Sequence, residues 1–392
     1  MGDDQTRKAS IQWFTRRTWH FMALLFSIFA ACLLILVGIL LLWSPGTPKP
    51  FLDQRGKPLA ESISEKIRID INGVPQGMFI KSRDRHNPVL LFVHGGPGMP
   101  EYWLTQRYPT RLEDLFTVVW WEQRGAGLSY SPDISPETMT AEQFISDTLA
   151  VTHYLRQRFH KNKIYLMAHS WGSYIAIQAV AKEPELYHAY LGIGQISYQI
   201  KSEQLAYKYA LEQYEKEGNM RMVHRLQSAA PTMTVPLPAA YISIRDEYMH
   251  DIGIGTTRLM KSVITGIFLP SWQFREYTLK EKINLWRGKF LARSRKSKLW
   301  EKMQVTDLTR QVKELKIPVY FFHGIYDYTC AYPLARDYFD MLQAPLKGFY
   351  TFKDSAHSPM FEEPEKMKQI LRDDVLMGST RLADSNPASV PE

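Results

Sequence analysis

The chain has 392 residues, 45% of them apolar and 13% aromatic, enough to bury one large core or two average ones, and it carries a net charge of +8. That composition excludes a disordered, collagen-like or disulfide-built protein; the two cysteines, Cys32 and Cys330, lie in unrelated settings and no bridge between them is expected. The basic balance permits nucleic acid or anionic lipid as a partner, but there is no zinc-finger spacing, no Gly-rich loop ending in Lys and no RNA-binding aromatic signature, so nucleic acid is not expected.

Residues 21–43 carry no charge and are almost wholly apolar. At about 1.5 Å per residue such a helix crosses a hydrocarbon core of about 30 Å. Arg7, Lys8, Arg16 and Arg17 precede it, whereas the far flank is uncharged until Lys49. The positive-inside rule therefore predicts a cytoplasmic segment over 1–20, a transmembrane anchor over 21–43 and everything later outside the cytoplasm, with Trp13, Trp19 and Trp43 as interfacial aromatics. A cleaved signal peptide has a shorter apolar stretch, about 7–15 residues, and Leu42-Trp43-Ser44-Pro45 is a poor cleavage site. Pro45, Pro48 and Pro50 then predict a stiff linker over 44–60.

Residues 66–72 alternate polar and apolar, Gly73 turns the chain and 76–81 follow, which predicts an antiparallel hairpin. Runs apolar on both faces come next at 89–93, 116–121, 164–167, 190–193, 319–322 and 349–352, separated by helical patterns at 141–159, 171–181, 332–342 and 364–376. Continuous apolar strands alternating with helices describe a mostly parallel, doubly wound sheet covered on both faces. The alternation stops over 195–305, a helical, aromatic-rich segment whose polar faces are basic, with Arg287, Lys289, Arg293, Arg295, Lys296 and Lys298 late in it. It reads as a helical cap inserted into one core formed by 61–194 and 306–377, and 378–392 read as a flexible tail.

The chemistry concentrates where strands end. The strand at 164–167 runs into Ala168-His169-Ser170-Trp171-Gly172, a G-x-S-x-G elbow with Ala in the first place, followed by a helix. Small residues flank the serine because the turn is strained and larger side chains would strike the adjoining strand and helix. Ser170 is the expected nucleophile, set at a helix N-terminus where developing negative charge is favoured. His94-Gly95-Gly96-Pro97-Gly98 directly follows the strand at 89–93, and glycine there lets backbone amides approach an oxyanion; Gly96, in preference to Gly95, and Trp171 are the expected donors. Asp327 follows the strand at 319–322 as candidate acid, and His357 follows the strand at 349–352 as candidate base, in the chain order Ser, Asp, His. Asp354 is an alternative acid; His169 and His323 are alternative bases, although on such an elbow His169 is expected to point away from the serine and His323 into the core. His20, His86, His153, His160 and His188 show no metal-ligand spacing, and no metal or other cofactor is expected.

These motifs, together with Trp121-Glu122-Gln123-Arg124-Gly125-Ala126-Gly127-Leu128-Ser129, Gly324-Ile325-Tyr326-Asp327 and Ala356-His357-Ser358, resemble the proline iminopeptidase group of α/β hydrolases over roughly 67–376. The chain departs from that group's pattern with Glu122 in place of Asp and Ala168-His169 in place of two glycines. The resemblance implies the α/β-hydrolase fold with a helical cap and a serine hydrolase that removes an N-terminal residue from short peptides. Cap carboxylates would bind the free amine; Glu203, Glu212, Glu215, Asp246, Glu247 and Asp251 are the candidates. Met220, Met222, Met233, Met249, Trp272, Phe274 and Trp286 favour the alternative, an esterase or lactonase for small or amphiphilic substrates, and a silent binding protein of the same fold is the third reading.

Overall fold

The computed structural model describes residues 2–294 and 296–385, with side chains from Thr18 onward; the N-terminal basic cluster, Trp13, Arg295 and the tail from 386 lie outside the described side chains. Helix α1 (Gly2–Leu42) contains a span, Thr18–Leu42, of mean hydropathy 3.0 with none of it packed inside the protein. The helix is long and apolar enough to cross a membrane. Beyond it the start of the expected stiff linker is docked: Lys282 Nζ donates to the Trp43 carbonyl at 2.8 Å, and Pro45 bridges to Thr278. The Gly46 amide donates to the Arg275 carbonyl at 3.1 Å. A proline-rich composition fixed the backbone's stiffness but not what it packs against.

One eight-stranded sheet has the order β1-β2-β4-β3-β5-β6-β7-β8. The hairpin β1 (Ile63–Ile71) and β2 (Val74–Ser82) is antiparallel, and β2 joins β4 antiparallel. The others, β3 (Val89–Val93), β4 (Thr117–Trp121), β5 (Ile164–His169), β6 (Tyr187–Ile193), β7 (Val319–Gly324) and β8 (Lys347–Phe352), run parallel. Side chains alternate across a strand, so Val89, Leu91 and Val93 enter one core while Leu90 and Phe92 enter the other. Both faces are buried, which is why these strands read as continuous apolar runs rather than alternating ones.

Helices α2 (Ala141–Arg158) and α3 (Trp171–Lys182) cover the sheet. Between β6 and β7 lies a helical insertion of α4 (Gln199–Lys216), α5 (Met220–Gln227), α6 (Ala239–Asp251), α7 (Leu269–Gln273), α8 (Leu279–Ala292) and α9 (Leu299–Val305), then short α10 (Leu308–Gln311). Its own apolar centre gathers Ile200, Tyr214, Leu226, Tyr241 and Tyr248. The chain closes with α11 (Tyr332–Met341), α12 (Pro359–Glu362) and α13 (Pro364–Ile370). The tail expected to be flexible from 378 is still tied at Asp384, whose carboxylate accepts from the Thr351 amide at 2.8 Å and whose amide donates to Phe349. A short polar stretch can close a sheet edge by hydrogen bonds that its composition does not announce.

Candidate active site

Ser170 leaves β5 and opens α3 with φ 54° and ψ −122°, a conformation costly for a residue with a Cβ. The turn is held by the Ser170 amide donating to the Ile193 carbonyl at 3.0 Å. A Cβ on Gly172 would overlap the carbonyl oxygens of Val93 and His94, so glycine is obligatory where α3 crosses β3. The His94–Gly98 loop is seated beside this turn by a chain of bonds. Gln123 Nε2 donates to the His94 carbonyl at 2.7 Å, and Gln123 Oε1 accepts from Trp171 Nε1 at 2.9 Å. Burial pulls the His94 imidazole down to about 4, so it stays neutral; Nε2 accepts from the Gln123 amide and Nδ1 bonds the Gly95 carbonyl. Among the described residues, the amides of Gly96 and Trp171 donate to no other protein group. Both are left free beside Ser170.

Asp327 is fully buried after β7. Its Oδ2 accepts from His357 Nδ1 at 2.9 Å and lies 3.1 Å from His323 Nε2, while Oδ1 accepts from the Cys330 amide at 2.9 Å. Burial alone would favour the neutral acid, but the His357 and His323 rings outweigh it and hold the carboxyl far below its usual range. A Cβ on Gly324 would overlap the carbonyls of Ser355 and Ala356, so this glycine sets how closely the two loops approach. Burial lowers the His357 imidazole despite Asp327, leaving a neutral ring with Nδ1–H on the carboxylate and Nε2 free as acceptor.

Ser170 and His357 line one cavity. The serine hydroxyl lies against the Cys330 thiol, and the described residues show no hydrogen bond between it and the imidazole. Asp354 is exposed and away from the ring, and His323 is a buried support of Asp327.

His169 corrects an expectation. It lines the same cavity, its ring centroid 4.7 Å from that of His357. Nε2 bonds the His357 carbonyl at 2.8 Å and Nδ1 bonds Glu101 Oε1 at 2.6 Å. Burial opposes a charged ring here, but the neighbouring Glu101 side chain and the His357 carbonyl overcome it and raise the histidine above its ordinary value. Sequence reading missed Glu101 altogether, because a lone carboxylate after the glycine loop carries no motif. Its second oxygen, Oε2, is buried without a partner.

Of the six carboxylates expected to bind an amine, Glu203 is fully buried and spent on Arg245, which holds it through Nε and Nη2 at 2.5 and 3.0 Å. Glu247 is paired with Arg225 and Asp251 with the Tyr214 hydroxyl; Glu212 and Glu215 are exposed. Asp246 alone of the six reaches the cavity.

A probable aminopeptidase of Bacillus subtilis (strain 168), YbaC, is 31% identical over 316 residues, covering 78% of this chain and 95% of that protein. The chain belongs to the α/β-hydrolase family. The family model for the α/β-hydrolase fold matches residues 88–233. Within the family the chain is proline iminopeptidase-like: a proline iminopeptidase of Heyndrickxia coagulans is 23% identical over 301 residues, 73% of this chain and 89% of that protein. The crystal structure of a proline iminopeptidase of Mycobacterium smegmatis superposes with a TM-score of 0.55 at 14% identity, over 79% of this chain and 97% of that one, a likeness of fold. This α/β hydrolase is thus an enzyme whose sheet ends carry Ser170, Asp327 and His357 in one neighbourhood. No group of three or more metal-ligating side chains occurs among its described residues.

Proposed function

We propose that this hydrolase acts through an acyl-enzyme and removes N-terminal residues from short peptides. The observation that carries the reading is the Asp327–His357 bond at 2.9 Å beside a serine on a strained elbow in the same cavity. Ser170 Oγ attacks the scissile carbonyl while His357 Nε2 takes its proton; Asp327 keeps Nδ1–H in place and stabilises the imidazolium. The Gly96 and Trp171 amides receive the oxyanion. The imidazolium then protonates the departing amine, and water, deprotonated by the same ring, releases the acid. The Ser170–His357 bond forms as substrate enters, as such bonds tighten on going from free enzyme to complex.

We rest peptide specificity on the likeness to YbaC and on Glu101, a cavity-lining residue whose Oε2 has no partner and would accept from a substrate ammonium. The cavity, about 170 Å³, favours small substrates. The test is hydrolysis of alanyl and prolyl amides by the purified chain, with labelling by a fluorophosphonate lost in Ser170→Ala. Turnover of simple esters alone would replace the peptidase with the esterase reading, and absence of labelling would remove both. We further propose that the catalytic part lies outside the cytoplasm, a reading supported by the apolar helix and the basic residues before it. Protection of that part from protease added to intact cells would contradict this orientation.

A further inference from the structure

The insertion contributes more positive charge to the cavity than its own carboxylates offset. Arg245, Lys289 and Arg293 all line it, and the insertion's one cavity-lining carboxylate is Asp246. Arg245 is engaged by Glu203 and, through Nη1 at 3.3 Å, by Asp246. Lys289 and Arg293 make no hydrogen bond or ion pair with any described side chain. Each lies over a ring, Lys289 Nζ 4.9 Å from the Trp286 centroid and Arg293 Cζ 5.2 Å from that of Trp300.

Backbone contact fixes these two cations above the reacting centre. They stand one helical turn apart at the end of α8, on one face. A Cβ on Gly98 would lie 2.6 Å from Ala292 Cβ and 2.7 Å from the Gly288 carbonyl, and a Cβ on Gly288 would lie 2.5 Å from the Gly125 carbonyl. Only glycines let α8 sit this close to the loop that carries Gly96. Lys289 is half-buried, and burial and the charge of Arg293 lower it against the pull of Asp246; Arg293 itself is exposed to solvent. Two like charges on the cavity wall, neither ion-paired with a described side chain and with Asp246 the insertion's one carboxylate on that wall, form a site that an anion from outside completes. A guanidinium fork beside an ammonium suits a carboxylate.

We propose that Lys289 and Arg293 bind a carboxylate of the substrate. This rests on the hydrolase reading and narrows its substrate class to molecules with an anionic group near the scissile bond. Two sources share that chemistry: the C-terminal carboxylate of a very short peptide, on the leaving side, and a carboxylated acyl chain. For a dipeptide the ammonium meets Glu101 and the carboxylate meets α8, so both chain ends are read.

The experiment compares matched substrates on the full-length chain in detergent. Alanyl-glycine is set against alanyl-glycinamide, and the 4-nitrophenyl monoester of glutaric acid against 4-nitrophenyl pentanoate. The expected result is a kcat/KM preference of about tenfold or more for the free acid in one pair, the size that one charge-assisted contact supplies. The peptide pair responding identifies the leaving-side source, the ester pair the acyl-side source. The preference collapses in Lys289→Gln with Arg293→Gln; being a ratio within one preparation, it is insensitive to the folded fraction. The same contrast is readable without turnover, as slower labelling of Ser170 by a neutral fluorophosphonate when alanyl-glycine, but not its amide, is present, or likewise glutarate monomethyl ester but not the dimethyl ester. Labelling of Ser170 with no charge preference in either readout overturns the carboxylate site and leaves the hydrolase standing, as does a preference that survives the double substitution. A chain that is never labelled at Ser170 overturns both.

Discussion

The ends of the sheet and the helical insertion above them face the same cavity, yet they are built by different forces. At the sheet ends the decisive contacts are backbone against backbone: Gly172 on Val93, Gly324 on Ser355 and Ala356. In the insertion they are side chain to side chain: Arg245 on Glu203, and the Tyr241 hydroxyl on Glu203 at 2.8 Å and on the Tyr248 hydroxyl at 2.9 Å. Close backbone contact demands glycine and leaves a mark in sequence. A buried ion pair can be assembled from any two positions that the fold brings together, and it leaves none.

Four measurements break or sharpen this contrast. At the sheet ends, Ser170→Ala lowers kcat by about 10⁶-fold while thermal unfolding stays near that of the parent, because a nucleophile acting as part of a unit costs nearly the whole unit. Asp327→Asn lowers kcat by about 10⁴-fold, since the amide no longer holds the Nδ1–H tautomer; an unchanged rate would show that the 2.9 Å bond to His357 is only structural.

The insertion responds in stability instead. Glu203→Gln leaves the Arg245 guanidinium only its 3.3 Å contact with Asp246 and costs about 3–5 kcal/mol, the range for breaking one side of a buried pair. Urea denaturation measures it, and a loss below about 1 kcal/mol would show that solvent reaches the pair. Because the pair belongs to the insertion's own centre, the loss falls on that unit first and is visible as an earlier transition.

The smallest effect is in pH. In the proposed mechanism His357 is a neutral base, and burial lowers it below the ordinary imidazole value of about 6.5. The base is therefore charged only at lower pH than usual, and the acid limb of kcat/KM is centred below 6.5. An acid limb centred above that value would show that Asp327 outweighs desolvation.

The parallel sheet was legible because strands buried on both faces must be apolar throughout, and the elbow because strain and close approach restrict the residues around Ser170 to small ones. His169 was not. Its side chain reaches the cavity because Glu101, 68 residues earlier, bonds it there. The docking of the linker escaped for a similar reason: Lys282 meets Trp43 across 239 residues.

Sequence by itself determined the apolar N-terminal helix, the layered sheet and the order in which hydroxyl, carboxylate and imidazole follow successive strands, because periodicity and steric limits act locally and constrain residue type. Tertiary structure alone decided which charges were already used. Glu203 is consumed by Arg245, whereas Lys289 and Arg293 keep theirs, because a charge is neutralised by whatever the folded chain carries to within a few ångströms of it.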